Sequence, residues 1–244
     1  MALSIRNHVA LITGASRGIG ELSALELAAE GCHVALAARS TPDLQRVAAA
    51  CSALGVKALV LPADLTDMAV LRGLVERCVA ELGGLNILVA NAGVYHDSQS
   101  HEAQLAEWDE MIDLNLRGAM HVTRHALPHI LRGIRQAGHG SVIFVASMSG
   151  IRTYTGGAAY CATKFGMIGF ASGVWDDVAE LGVKVSAICP GFVNTEMSAH
   201  DGLDVRMMIQ PEDVAGLVRM VATWPDTSCP RMLQVSPQRK PLPV

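Results

Sequence analysis

Apolar residues in this chain come as short unbroken runs, near 9–13, 34–38, 58–61, 87–90, 142–146, 183–188 and 232–235. Longer stretches with helical periodicity fill the gaps between them. An unbroken apolar strand is buried on both faces, and strands that alternate with helices need right-handed crossovers. The pattern therefore predicts an α/β fold, a doubly wound parallel sheet of seven strands with helices on both faces. One helix is expected over 21–30, a long one after Trp108, and another opening at Pro211, where Glu212-Asp213 suits a first turn. No internal boundary, repeat or low-complexity tract interrupts the pattern, so 1–244 reads as a single domain. A Pro-rich tail, 237–244, is expected to be mobile or to dock on a neighbour.

Composition narrows the class. The chain is 50% hydrophobic with a mean hydropathy of +0.31, which suits a doubly covered sheet. A net charge of −4 with scattered Lys and Arg leaves no footprint for nucleic acid. No apolar run approaches the roughly 18 residues a bilayer span needs, and no basic segment leads into a cleavable apolar stretch. The six cysteines show no metal-ligand spacing, so no metal site is expected and reduced thiols in the cytoplasm are.

Two segments carry chemistry. Where the first strand ends, Gly14-Ala15-Ser16-Arg17-Gly18-Ile19-Gly20 precedes the helical pattern. Strand, glycine turn and helix in that order let the backbone approach a pyrophosphate, whose charge meets the N–H groups at the helix start. The spacing is G-x-x-x-G-x-G, looser than the general dinucleotide fingerprint, and a ligand-free turn is the alternative. Further along, Tyr160 and Lys164 stand at i and i+4, on one side of a helix. Using a phenol near neutral pH means moving its pKa by about 3 units, and an ammonium about 4 Å away suffices only where water is excluded.

Taken in order, the motifs resemble those of the classical short-chain dehydrogenase/reductase family, 3-oxoacyl reductase-like members included, and the likeness runs from about 7 to about 235. Thr13-Gly14 through Gly18-Ile19-Gly20 matches the family's T-G-x-x-x-G-x-G, Asn91-Ala92-Gly93 its N-A-G, and Pro190-Gly191 its P-G. Asp64, beside Leu65, matches the acid near the adenine, and Asn115, Ser147, Tyr160 and Lys164 match the catalytic four. The resemblance implies a Rossmann-type domain with Ser16, Val193 and Thr195 among the cofactor contacts, and hydride exchange between a carbonyl and an alcohol. It further implies that Ser147 binds the substrate oxygen and Tyr160 gives or takes the proton. Lys164 would lower the tyrosine pKa and hold the ribose, and Asn115 would anchor a relaying water.

At the end of the second strand, where an NAD enzyme usually keeps an acid, the chain has Ala38-Arg39-Ser40. Arg39 can grip a 2′-phosphate and Ser40 add a hydroxyl, with Arg17 approaching from the glycine turn, so NADP(H) is expected over NAD(H). The substrate pocket should be framed by Val94, Tyr95 and His96, then Met148, Arg152 and Tyr154, then Phe192 and Met197. Most are apolar or aromatic, which suits a small ketone, aldehyde or acyl thioester; His96 and Arg152 are either anion contacts or rim residues. Acidic Asp176-Asp177 and Glu180, late in the Tyr160 helix, oppose docking of an acidic acyl carrier. Association into a dimer or tetramer is expected through helices around 117–130 and 165–178, where Phe170, Val174 and Trp175 fit core packing equally well. The rival reading is a non-catalytic NADP-binding redox sensor, which would show a broken catalytic set; here all four residues stand.

Overall fold

The structure, a computed structural model, describes residues 2–198 and 203–239. Its strands are β1 (Val9–Thr13), β2 (His33–Ala38), β3 (Ala58–Pro62), β4 (Ile87–Ala90), β5 (Gly140–Val145), β6 (Val183–Pro190) and β7 (Met232–Val235). All pair in parallel, in the order β3-β2-β1-β4-β5-β6-β7. The helices are α1 (Gly18–Ala29), α2 (Thr41–Ala53), α3 (Met68–Leu82), α4 (Leu105–Met111), α5 (Ala119–Ala137), α6 (Ala158–Val178) and α7 (Pro211–Ala222).

Successive strand residues point to opposite faces, so each strand feeds two cores. Leu11 and Phe144 pack under α3, α5 and α6 with Leu71, Ile130 and Met167. Ile12 and Ile143 pack under α1, α2 and α7 with Leu27, Leu44 and Val218. The expected sheet and its two helical layers are thus observed. Strand order reverses between β1 and β4, and the crevice beyond their carboxyl ends is where such sheets hold ligands.

Departures from the expected elements have local causes. α1 begins at Gly18 rather than 21, because the last glycines of the turn already belong to its first turn. β7 alternates exposed and half-buried residues, as an edge strand covered on one face does. The long helix expected after Trp108 is not continuous: a π-helical turn, Ile112–Gly118, separates α4 from α5. Gly118 sits there against the Leu65 carbonyl, where a Cβ would stand 2.8 Å from that oxygen. Of the Pro-rich tail, residues 240–244 lie outside the described residues.

Candidate active site

The glycine turn closes on β4. Gly14 (φ 66°) and Gly18 (φ 57°) occupy the left-handed region, and a Cβ on Gly20 would collide with the Gly14 carbonyl. No side chain caps the amino end of α1, so its first N–H groups remain for an anion. Thr13 bolts the two strand ends together: its hydroxyl donates to Val89 O (3.3 Å) and accepts from the N–H groups of Asn91 (3.0 Å) and Ala92 (3.1 Å). Asn91 Nδ2 returns a bond to Thr13 O at 3.0 Å. This uncrowded, uncapped cradle fits the pyrophosphate of a dinucleotide, with Ser16 and half-buried Ile19 in the turn itself.

Around the adenosine end the residues divide. Arg39 is exposed beside Asp64, whose carboxyl is held below its usual range first by the Thr66 N–H, then by the Thr66 hydroxyl, with Arg39 adding its charge. Leu65 is buried. Two expected phosphate contacts are engaged elsewhere: Ser40 donates to Asp43, and Arg17 pairs with Glu196 at 2.6 Å. The first partner lies three residues on and the second is distant in sequence, and no pattern around positions 17 or 40 singled out either. Arg46, also missed, donates to the Ser16 carbonyl (3.2 Å) while paired with Glu21 (2.5 Å). Past β6, Val193 is buried and bridges to Ile209, the methyl of Thr195 lies opposite Gly18, and Gly191 donates to Val235 O at 2.8 Å.

The four expected catalytic residues converge at the carboxyl ends of β4 and β5. Asn115 is fully buried in the π turn, and its amide clamps the loop after β4: Oδ1 accepts from Val94 N (2.7 Å) and Nδ2 donates to Val94 O (2.9 Å). Thr163 Oγ1 accepts a longer bond from the same Nδ2 (3.4 Å), a contact that no sequence pattern announced. The side-chain amide is thus engaged with Val94 and Thr163. A π turn is a frequent device for aiming a functional side chain inward.

Lys164, 3% exposed, donates from Nζ to Val145 O at 3.1 Å and lies 5.6 Å from the centroid of the Tyr160 ring. Burial lowers its pKa to about 8, against a small opposing effect of the Cys189 thiol. Burial also pushes Tyr160 up, and a hydrogen bond from Ser147 offsets part of that. The ammonium is turned to a carbonyl, with donors to spare.

In the pocket, Val94 and Met148 are half-buried, Arg152 is exposed, and Tyr154, Phe192 and Met197 expose large apolar surface. His96 is tied to Glu110 at 2.8 Å and is therefore not a free anion contact. The Tyr95 ring meets that of Tyr160 edge to face, centroids 5.0 Å apart. Among the described residues no cluster of metal-ligating side chains is present, and no helix is long and apolar enough to cross a membrane.

Comparison with known proteins agrees with this geometry. The sequence model for short chain dehydrogenases matches residues 8–205. An uncharacterised oxidoreductase of Staphylococcus aureus is 36% identical over 221 residues, 91% of this chain and 93% of that one. Carveol dehydrogenase from Mycobacterium avium, solved with NAD, superposes with a TM-score of 0.89 at 25% identity, covering 97% of this chain and 98% of that one. A short chain dehydrogenase from Burkholderia cenocepacia, solved with NADP, gives 0.87 at 30% identity, covering 96% and 98%.

Proposed function

Because this chain belongs to the short-chain dehydrogenase family and is an oxidoreductase with a nicotinamide cofactor, we propose that it interconverts a carbonyl and an alcohol using NADP(H), with Tyr160 as general acid and base. The observation that carries this reading is the convergence of Ser147, Tyr160 and a buried, carboxylate-free Lys164 beside the glycine cradle. The cofactor, when bound, supplies or takes the hydride. Gly14, Gly18, Gly20 and the uncapped N–H groups of α1 would hold its pyrophosphate, and Arg39 its 2′-phosphate. Ser147 Oγ holds the substrate oxygen, and Tyr160 Oη gives its proton to that oxygen in reduction and takes it back in oxidation. Lys164 Nζ keeps donors free beyond Val145 O for the ribose hydroxyls and the phenolate. Asn115 fixes the loop that walls this proton path from solvent.

Small ketones, aldehydes and 3-oxoacyl thioesters fit the apolar mouth formed by Phe192 and Met197. Exposed Met120 on α5 and Phe165 on α6 support a homo-oligomer, and the unpaired cysteines a cytoplasmic setting. The test is oxidation of NADPH and of NADH against a panel of carbonyl compounds, in wild type and in Arg39→Asp. Turnover with a preference for NADPH that falls about tenfold in the variant is the expected result. An unchanged ratio removes Arg39 from the account, and tight cofactor binding without turnover on any carbonyl favours a sensor.

A further inference from the structure

Three arginines stand around the glycine cradle, Arg17 in the turn itself, Arg39 after β2 and Arg46 on α2, and their charges are not equally available. Arg46 is held fast. Its guanidinium donates to both oxygens of Glu21, at 2.5 and 2.8 Å, and gives a further bond to the Ser16 carbonyl at 3.2 Å. Glu21 is only 20% exposed and belongs to α1, so this pair is part of the framework that shapes the turn. Arg39 is the opposite case, exposed and without an ion pair among the described residues.

Arg17 lies between these extremes. It meets Glu196 at 2.6 Å, but the two side chains are 68% and 71% exposed, and the contact is one of charges without the paired, aligned hydrogen bonds that Arg46 makes to Glu21. The carboxylate comes from the far side of the cleft, on the short turn Glu196–Ser198 that follows β6. This turn leans on the glycine turn: the Thr195 methyl stands 3.6 Å from where a Cβ on Gly18 would be. Its base is tied down through Asn194, whose N donates to Ile209 O at 2.8 Å and whose Nδ2 donates to Gln210 Oε1 at 3.0 Å. Glu196 is thus delivered by the fold to an arginine of the cofactor cradle.

Such a pair is easily exchanged. Water already solvates both charges, and two long side chains must be held to keep them together. A dianionic phosphate offers the guanidinium more charge and two parallel N–H···O bonds. The released carboxylate returns to water at small cost. A 2′-phosphate therefore displaces Glu196 from Arg17, whereas a neutral 2′-hydroxyl leaves the pair in place.

We propose that Glu196 is a cofactor-specificity residue acting through Arg17: a resident carboxylate that occupies the arginine until a 2′-phosphate takes its place, and so holds down the affinity for NADP(H) without altering that for NAD(H). This rests on the NADP(H) reading above. The test is titration calorimetry, which needs no turnover, with adenosine 2′,5′-bisphosphate and 5′-AMP, which differ only in the 2′-phosphate, and with NADPH and NADH, on wild type, Glu196→Gln, Arg17→Gln and the double variant. Glu196→Gln should tighten binding of the bisphosphate and of NADPH by about two- to fivefold, the worth of one exposed ion pair, and leave 5′-AMP and NADH unchanged. Arg17→Gln should weaken the bisphosphate and NADPH, and in its background Glu196→Gln should have no further effect. Binding of 5′-AMP by every variant checks that each is folded. An unchanged affinity for the bisphosphate in Glu196→Gln, or a gain that extends to 5′-AMP and NADH or survives in the Arg17→Gln background, overturns the inference, and the NADP(H) reading stands as long as wild type binds the bisphosphate more tightly than 5′-AMP. Equal binding of those two by wild type overturns the reading itself, and the inference with it.

Discussion

Two lysines of this protein are buried at opposite ends of the sheet, and their surroundings differ in kind. Lys184, 5% exposed, sits near the start of β6, paired with Asp226 and donating to His139 Nδ1 at 3.1 Å. Lys164, 3% exposed, sits beyond the carboxyl ends of the strands with one carbonyl for a partner and no carboxylate. Burying an ammonium without a counter-charge costs stability, while a paired one is compensated. The first lysine is part of what holds the amino end of the sheet together. The second is a strained group whose pKa burial has lowered to about 8, and such groups gather where chemistry is done.

The sharpest break between the ends is expected at Tyr160. Tyr160→Phe should lower kcat by roughly 10²- to 10⁴-fold, the usual worth of a positioned general acid, while NADPH binding stays within a few-fold. Retention of most activity would take the proton path away from this end of the molecule. No substitution at the Lys184 end should approach that loss.

Much of this arrangement was legible in the sequence, and the remainder was hidden for a common reason. Unbroken apolar runs such as Val9–Thr13 and Ile87–Ala90 read directly as strands, because burial on both faces leaves no polar position. The glycine turn and the Tyr160–Lys164 spacing were equally plain, since each depends on residues within one element. What stayed hidden depends on partners distant in sequence. The π turn around Asn115 forms where Gly118 meets the Leu65 carbonyl, Arg17 finds Glu196 across the cleft, and the Tyr95 ring meets that of Tyr160 from another loop. Lys184 passed as one more residue of an apolar strand, for its partners Asp226 and His139 lie on other segments. Thr13 was visible in its motif, yet its bolt onto β4 needed the sheet order.

Paired substitutions sharpen the comparison at an intermediate scale. Lys184→Met removes the ion pair to half-exposed Asp226 and leaves buried His139 Nδ1 without its donor, and should cost about 1–3 kcal/mol of stability while kcat stays within about twofold. Lys164→Met should do the reverse, cutting kcat steeply with stability level or improved, because it removes an uncompensated charge. Denaturant melts and initial rates on the two variants decide it. If both lose stability equally, the contrast between the lysines fails.

pH separates them further. As pH rises through about 8, the folded protein releases the Lys164 proton while the unfolded chain still holds it, so in this window the unfolded state binds more protons and the lysine's burden on stability lifts. Activity should move the other way, with kcat/KM for NADPH falling above pH 8 as the ammonium is lost. Buried thiols with raised pKa values, among them Cys189 at about 11, pull wild-type stability down in the same alkaline range. The stability advantage of Lys164→Met over wild type isolates the lysine together with its charge on Cys189, since the other thiols are common to both. That advantage should shrink between pH 8 and about 10; an advantage that stays constant would mean Lys164 does not titrate there.

The smallest effect is expected at the Lys184 end. His139 has its pKa lowered by burial and then by the Lys184 charge, with Asp226 opposing. Its ring faces that of His8, with centroids 5.9 Å apart. Because its Nδ1 accepts from Lys184, the proton of the neutral ring sits on Nε2, and a second proton would have to displace the lysine. The unfolded chain takes up that proton as pH falls through about 6.5 and the folded one refuses it, so stability is full above that value and is lost below it. One proton can carry at most about 1.4 kcal/mol per pH unit. The Asp226 carboxyl, raised by its partial burial but lowered further by Lys184 and His139, adds its own loss only at more acid pH. His139→Gln keeps an acceptor for Lys184 and removes the titration, so its stability should fall less steeply than wild type between pH 7 and pH 5, while the alkaline fall in activity set by Lys164 is unchanged. Parallel acid profiles in the two proteins would show that His139 is protonated without cost, and that the amino end of the sheet is not the closed structural lock its contacts describe.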